Sequence, residues 1–294
     1  DPATMTFTNR IPPLNSPGRR SQHSMAFCPV TGKTYVLGGL DDRGNALDDL
    51  WEWDGSNWAS VEVAVRPPPR SDAALAYDPV RKALILYGGI SYAEQSLYGS
   101  MVGDTWEWNC GTRRWTQLSP VASPERLHSH GMVTDTVRGK ILLFGGSNYY
   151  FYDVPDDVPA SADGGTVTSH SSLLGNEVWE WDGAKVTWTN RTLAAGTQSP
   201  QVRDYPVLSF DDSRQRLVLF DGPMFNAGSS SASGFWEWNP ISAGWDSRDS
   251  GDDLNPFDPY GDWFAMAYDS VRRRSVLFTD AVSPPGPCLA PAPW

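Results

Sequence analysis

Cysteine is scarce in this chain: Cys28, Cys110 and Cys288 are its only three, widely spaced and without a CxxC or a nearby HxxxH. That excludes a disulfide framework and a zinc cluster of the usual spacing, and it leaves room for one bridge at most, with the pairing open. Long apolar runs are missing too. LILYGG (Leu84 to Gly89) and ILLFGG (Ile141 to Gly146) stop far short of the roughly 20 residues that a membrane span needs, so a soluble chain with no membrane partner is expected. Positive charge is short, with 23 Lys and Arg against 35 Asp and Glu and a net charge of −12. Affinity for nucleic acid comes mainly from cations that neutralise phosphates, so no nucleic-acid partner is expected. Asp1 opens the sequence with no apolar leader, which suits a processed secreted chain as well as an excised one, and a secreted or cell-surface location is expected over a cytoplasmic one.

Apolar side chains are plentiful. At 294 residues with 40% hydrophobic content, the chain can bury a full core as one domain. Glycine (27) and proline (24) occur beside 12% aromatics, so they punctuate many short strands rather than a disordered tract.

The tryptophans recur in a pattern. WEW appears four times, at Trp51–Trp53, Trp106–Trp108, Trp179–Trp181 and Trp236–Trp238, and a further Trp follows at Trp58, Trp115, Trp188 and Trp245. Upstream lies a shared grammar of an Arg, a short apolar run, an Asp-rich turn, a second apolar run and a glycine pair, as in RSDAALAYDPVRKALILYGG (Arg70 to Gly89). A fifth copy, Trp263 to Asp280, keeps the hairpin but loses the Arg and the glycines. Each unit therefore reads as two hairpins, or four strands, with both Trp of WEW on one face and the Glu on the other. A residue needed once per repeat serves the repeat, which argues against Glu52, Glu107, Glu180 and Glu237 as catalysts.

A glycine pair ending the second strand, then two aromatics with six residues between them, as Trp108 and Trp115 flank NCGTRR, resembles the kelch-repeat signature, with Trp where Tyr is usual. The resemblance covers nearly the whole chain. It implies an all-β, five-bladed kelch-like β-propeller as a single domain, with blades at about 21–65, 66–120, 121–195, 196–252 and 253–294 plus 1–14. The N-terminus supplies the closure: TFTNR (Thr6 to Arg10) lines up with TWTNR (Thr187 to Arg191), so it reads as the fourth strand of the last blade. The Trp residues then read as packing between blades.

In such a propeller, the second-to-third connections and the links between blades emerge on one face. The connection of the third blade is the longest, Ser147 to Gly175, and holds four consecutive aromatics, Tyr149, Tyr150, Phe151 and Tyr152. With Tyr92, Tyr98 and Phe225 they line a ligand recess or fold back as a satellite core. Arginines that open the blades, Arg20, Arg70 and Arg203, with Arg126 one residue out of step, fall on the same face. The resemblance makes them ligand contacts, because kelch domains that take acidic peptides use arginines there; the competing reading pairs each with a carboxylate of its own blade, for instance the Glu of WEW. His128 and His130 share one side of an extended HSH segment and, with His170 and the acids of the facing loop, form the candidate metal set.

The expected function is a non-catalytic recognition module that binds a protein segment or glycan through this face, as a monomer without a cofactor. The alternative is a metal-assisted enzyme or a glycosidase in the axial recess, built on His and Asp of the first- and third-blade loops with a divalent metal. A scaffold that uses its outer edges is the third reading.

Overall fold

The computed structural model describes residues 15–92, 99–148, 176–192, 198–200, 205–220, 235–248 and 264–279. Among them it holds strands and turns and no helix. The chain divides into two compact units, Asp1–Ser129 with Trp181–Trp188, and His130–Glu180 with Thr189–Trp294.

In the first unit, β1 (Ser24–Cys28), β2 (Lys33–Leu37), β3 (Leu50–Trp53) and β4 (Trp58–Ser60) form an antiparallel sheet in chain order. The next repeat inserts a small sheet into the same plan. Its strands β5 (Arg70–Ser71), β8 (Ile90–Ser91) and β9 (Ser100–Met101) pair beside the four-stranded sheet of β6 (Ala74–Asp78), β7 (Ala83–Tyr87), β10 (Thr105–Asn109) and β11 (Arg114–Leu118). All five residues of β7 are buried, which explains why ALILY is a continuous apolar run and not an alternating one.

A third sheet runs β12 (Gly131–Asp135), β13 (Lys140–Phe144), β14 (Val178–Asp182) and β15 (Thr187–Asn190), and the tip of its last hairpin, Trp181–Trp188, belongs to the first unit. In the second unit, β16 (Val207–Asp211), β17 (Arg216–Phe220), β18 (Phe235–Asn239) and β19 (Gly244–Ser247) form the fourth sheet, and β20 (Phe264–Asp269) pairs with β21 (Arg274–Thr279). The four-strand repeat unit expected from WEW and its upstream run is thus present in four copies, with a hairpin from the fifth.

Local chemistry sets the turns. Asp78 ends β6, and its Oδ1 accepts the backbone N–H of Val80 and Arg81. Asp135, Asp211 and Asp269 do the same in their hairpins, and Asn109, Asp182 and Asn239 cap the β10–β11, β14–β15 and β18–β19 turns. A side-chain oxygen that mimics a backbone turn is the reason for Asx at these positions. At the glycine pairs the backbone is left-handed: φ is 62° and 93° at Gly38 and Gly39, 65° and 96° at Gly88 and Gly89. A Cβ on Gly39 would lie 2.4 Å from the carbonyl oxygen of Ser21, and one on Gly89 would lie 2.5 Å from that of Ser71, so no other residue fits.

Tryptophans join successive sheets inside each unit. In the first unit Trp108 is fully buried with its ring 5.9 Å from Tyr35, and Trp188 lies 5.3 Å from Tyr87. In the second, Trp245 meets Phe144 at 5.0 Å, and Trp238 shares a core with Leu142 and Phe144. Backbone bonds stitch the sheet openings as well: the N–H of Asp72 donates to Gln22 O at 3.0 Å, and that of Ser129 donates to Asp72 O at 2.9 Å. A disulfide, Cys28–Cys110, crosses between β1 and the β10–β11 turn, which decides the pairing that the spacing alone left open.

Candidate functional site

The residues that open each repeat separate into two kinds. Arg20 Nη1 and Nη2 donate to the two oxygens of Asp49 at 2.7 and 2.9 Å, and Nη1 also reaches Gly38 O at 3.1 Å. Arg70 repeats this on Asp104, at 2.8 and 2.9 Å, and on Gly88 O at 3.0 Å. The same aspartates accept the indole N–H of Trp51 and Trp106. Each clasp therefore ties together the repeat opening, the glycine pair and the first Trp of WEW, with the arginine buried. Burial works against the Asp104 carboxylate, but the bonds from Arg70 and Trp106 outweigh it and hold its pKa below the usual carboxylate range; Asp49 follows the same balance with Arg20 and Trp51.

The partner is thus the aspartate two residues before WEW. The WEW glutamates are held by other cations: Glu52 by Lys33 and Arg113, Glu107 by Arg81, Glu180 by Arg138, and Glu237 by Arg214 and Arg248. The acid before WEW was a readable signal, since Asp49, Asp104 and Glu177 stand at the same offset. Glu177 accepts the indole N–H of Trp179 at 2.7 Å.

Arg126 departs from this plan. It is exposed, and among the described residues its guanidinium makes no hydrogen bond or ion pair. The backbone that carries it is anchored, because the Tyr87 hydroxyl lies 2.8 Å from the carbonyl oxygens of Pro124 and Glu125. Burial, and then the charges of Asp104 and Glu125, push the Tyr87 phenol well above its ordinary pKa, so it stays a neutral donor. Gly103 packs beneath, where a Cβ would come within 3.4 Å of Arg126 Cα. One residue out of step in sequence, Arg126 falls outside the clasp, with no carboxylate among the described residues paired to it.

The histidines do not sit as the extended HSH reading requires. Ser129 is left-handed at φ 57°, so side-chain alternation does not carry from His128 to His130. His128 Nδ1 lies 2.8 Å from Ser129 Oγ, and His130 is buried. Among the described residues no group of three or more His, Cys, Asp or Glu is arranged to hold a metal. Tyr92 is half-buried, its N–H bonded to Pro69 O at 2.9 Å. Arg203, Tyr98, Tyr149, Tyr150, Phe151, Tyr152, His170 and Phe225 lie outside the described residues. No helix of the described residues is long and apolar enough to cross a membrane.

Known proteins resemble this chain in sequence and fold. Residues 1–158 match the KLHDC2/KLHL20/DRC7 Kelch-repeats domain, and residues 129–192 match the Kelch motif. Host cell factor 1 of Homo sapiens is 32% identical over 156 residues, a match that covers 46% of this chain and 7% of that protein. Mei4-dependent protein 6 of Schizosaccharomyces pombe is 28% identical over 144 residues, covering 46% of this chain and 20% of that protein. The chain thus matches only a small part of the length of these relatives. The solved structure of YjhT shares the fold, with a TM-score of 0.58 and 15% identity over 87% of this chain and 71% of YjhT. Four-stranded sheets built on glycine pairs and WEW strands, together with a domain match that spans 158 of the 294 residues, place this chain in the kelch-repeat family.

Proposed function

We propose that the chain is a non-catalytic recognition module whose connection-bearing face binds a protein segment with acidic side chains or a free carboxylate. The observation that carries this reading is the contrast among the opening arginines. Arg20 and Arg70 spend their guanidinium donors inside the clasps, whereas Arg126 stands exposed on an anchored backbone. An unpaired, planar guanidinium suits bidentate recognition of a carboxylate. Each WEW glutamate is held by at least one cation, and this favours binding over acid–base chemistry at those positions.

The test is a peptide array with acidic, neutral and basic members, followed by titration of the best binder. Arg126→Ala should weaken an acidic peptide about 10-fold or more, in line with loss of a charged hydrogen-bonding group, and leave melting unchanged. Binding indifferent to that substitution, or confined to neutral glycans on a parallel array, would remove Arg126 and the acidic ligand together.

The face depends on a ring, which we propose has five blades with boundaries near 21–65, 66–120, 121–195, 196–252 and 253–294 plus 1–14. Met25 and Phe27 alternate with the core-facing Ala26 and Cys28 of β1 and are 60% and 53% exposed, a sheet face suited to cover by a further blade. Removal of residues 1–14 should lower the melting temperature and promote association through the unpaired edge. A truncated chain with the parent's melting curve would argue against that closure.

A further inference from the structure

Residues 28 and 78 hold the same place in successive repeats, the last position of β1 and of β6, and residues 110 and 183 each lie one past the WEW strand. In the later pair, Asp78 Oδ2 accepts the Trp181 indole N–H at 2.7 Å. A Cβ on Gly183 would lie 1.9 Å from that same oxygen. At this joint, Asp78 as placed leaves no room for a side chain at position 183. One repeat earlier both have changed together, to Cys28 and Cys110, and their sulfurs are bonded across the joint, with 6.8 Å between the Cα atoms. Trp108, the counterpart of Trp181, keeps its indole nitrogen buried with no hydrogen-bond partner among the described residues. Thr31 also stands where the later repeats carry Arg81, Arg138 and Arg214, and the charge across this joint comes instead from Arg113, which donates to Glu52 at 2.7 Å.

We propose that Cys28 and Cys110 are a coupled replacement of the Asp–Gly joint, which makes the attachment of the first sheet to the second a redox-dependent device. The bond holds in an oxidising environment, and its reduction leaves a joint with neither a covalent link nor the carboxylate that accepts the indole. Closure joins two thiols and passes two electrons and two protons to the disulfide of an exchange partner such as oxidised glutathione, which leaves as two thiols. Both cysteines are buried, at 0% and 1% exposure, so exchange requires the joint to open.

The experiment uses the full chain with Cys288→Ser throughout, refolded with a glutathione redox pair. Thiols are counted in denaturant, and melting is followed with and without dithiothreitol. The expected count is zero. Reduction is expected to lower the melting temperature by on the order of 10 °C. C28D/C110G should melt close to the oxidised parent and ignore the reductant. C28D alone should melt below the double variant, because Cys110 then meets the introduced carboxylate. Two free thiols in the refolded protein, or a reduced parent that melts with the oxidised one, would overturn the proposal. Should C28D/C110G fail to fold, C28S/C110S decides: melting with the reduced parent supports the device, and melting with the oxidised parent refutes it.

Discussion

Two joints in the first unit do the same task with different chemistry. Between the first and second sheets the link is Cys28–Cys110, with Trp108 packed on Tyr35. Between the second sheet and the hairpin tip Trp181–Trp188, it is a hydrogen bond from Trp181 to Asp78, with Arg81 donating to Gly183 O at 3.2 Å. A buried tryptophan is common to both. What differs is whether the position below it carries a polar acceptor or a covalent bond, and each choice constrains the residue opposite. The comparison teaches that apolar burial is the shared basis of the two joints, while the link beside it is polar in one and covalent in the other.

The largest effects test the shared part. Trp108→Ala and Trp181→Ala should each cost about 3–5 kcal/mol, because both rings are fully buried and truncation leaves a cavity. Urea unfolding measures this, and a loss well below 1 kcal/mol in either would break the equivalence of the joints. Loop-closure entropy assigns the disulfide a similar share, about 4.5 kcal/mol for its separation of 82 residues.

Removal of the polar link alone should come next. Asp78→Ala takes the acceptor from Trp181 and the cap from Val80 and Arg81, so a loss of about 2–4 kcal/mol is expected from unsatisfied donors. A sharper test separates ring from N–H. Trp181→Phe should cost more than Trp108→Phe by about 1–2 kcal/mol, because only the Trp181 indole nitrogen has a partner among the described residues. Equal costs in urea denaturation would show that the Asp78 bond adds nothing beyond packing.

The smallest effect lies in the clasps beside these joints. Asp49 and Asp104 have pKa values depressed in the folded chain, so their contribution is fully present above the unfolded carboxylate value of about 3.9 and is lost as pH falls through the lower folded values. Stability should therefore be flat near neutrality and decline below about pH 4, and Asp104→Asn should flatten that decline. Melting curves across that range check the slope.

Much of this could be read along the chain. The two hairpins per repeat, the Asx-capped turns and the glycine pairs follow from spacing, because each is decided within about twenty residues of sequence. The tryptophans read correctly as packing for the same reason. The opening arginines were harder: periodicity marked Arg20 and Arg70 as repeat features, but their partners lie 29 and 34 residues away, across a connection of variable length. The glutamate of WEW, expected as that partner, is held instead by arginines of the hairpin turns, as Arg81 holds Glu107 and Arg138 holds Glu180. HSH misled because alternation assumes an extended backbone, and a single left-handed residue, Ser129, breaks it.

By itself, the sequence determined that this chain is an array of four-stranded antiparallel units with tryptophan packing, since strand period, turn chemistry and glycine φ are local properties repeated copy by copy. Tertiary structure alone decided which residues meet: the bond of Cys28 with Cys110, the aspartates that hold Arg20 and Arg70, and the position of Arg126, whose guanidinium makes no bond among the described residues. The reason is physical. Contacts between sheets depend on how one sheet is offset against the next, and that offset is set by packing summed over many side chains, which no spacing along a single strand records.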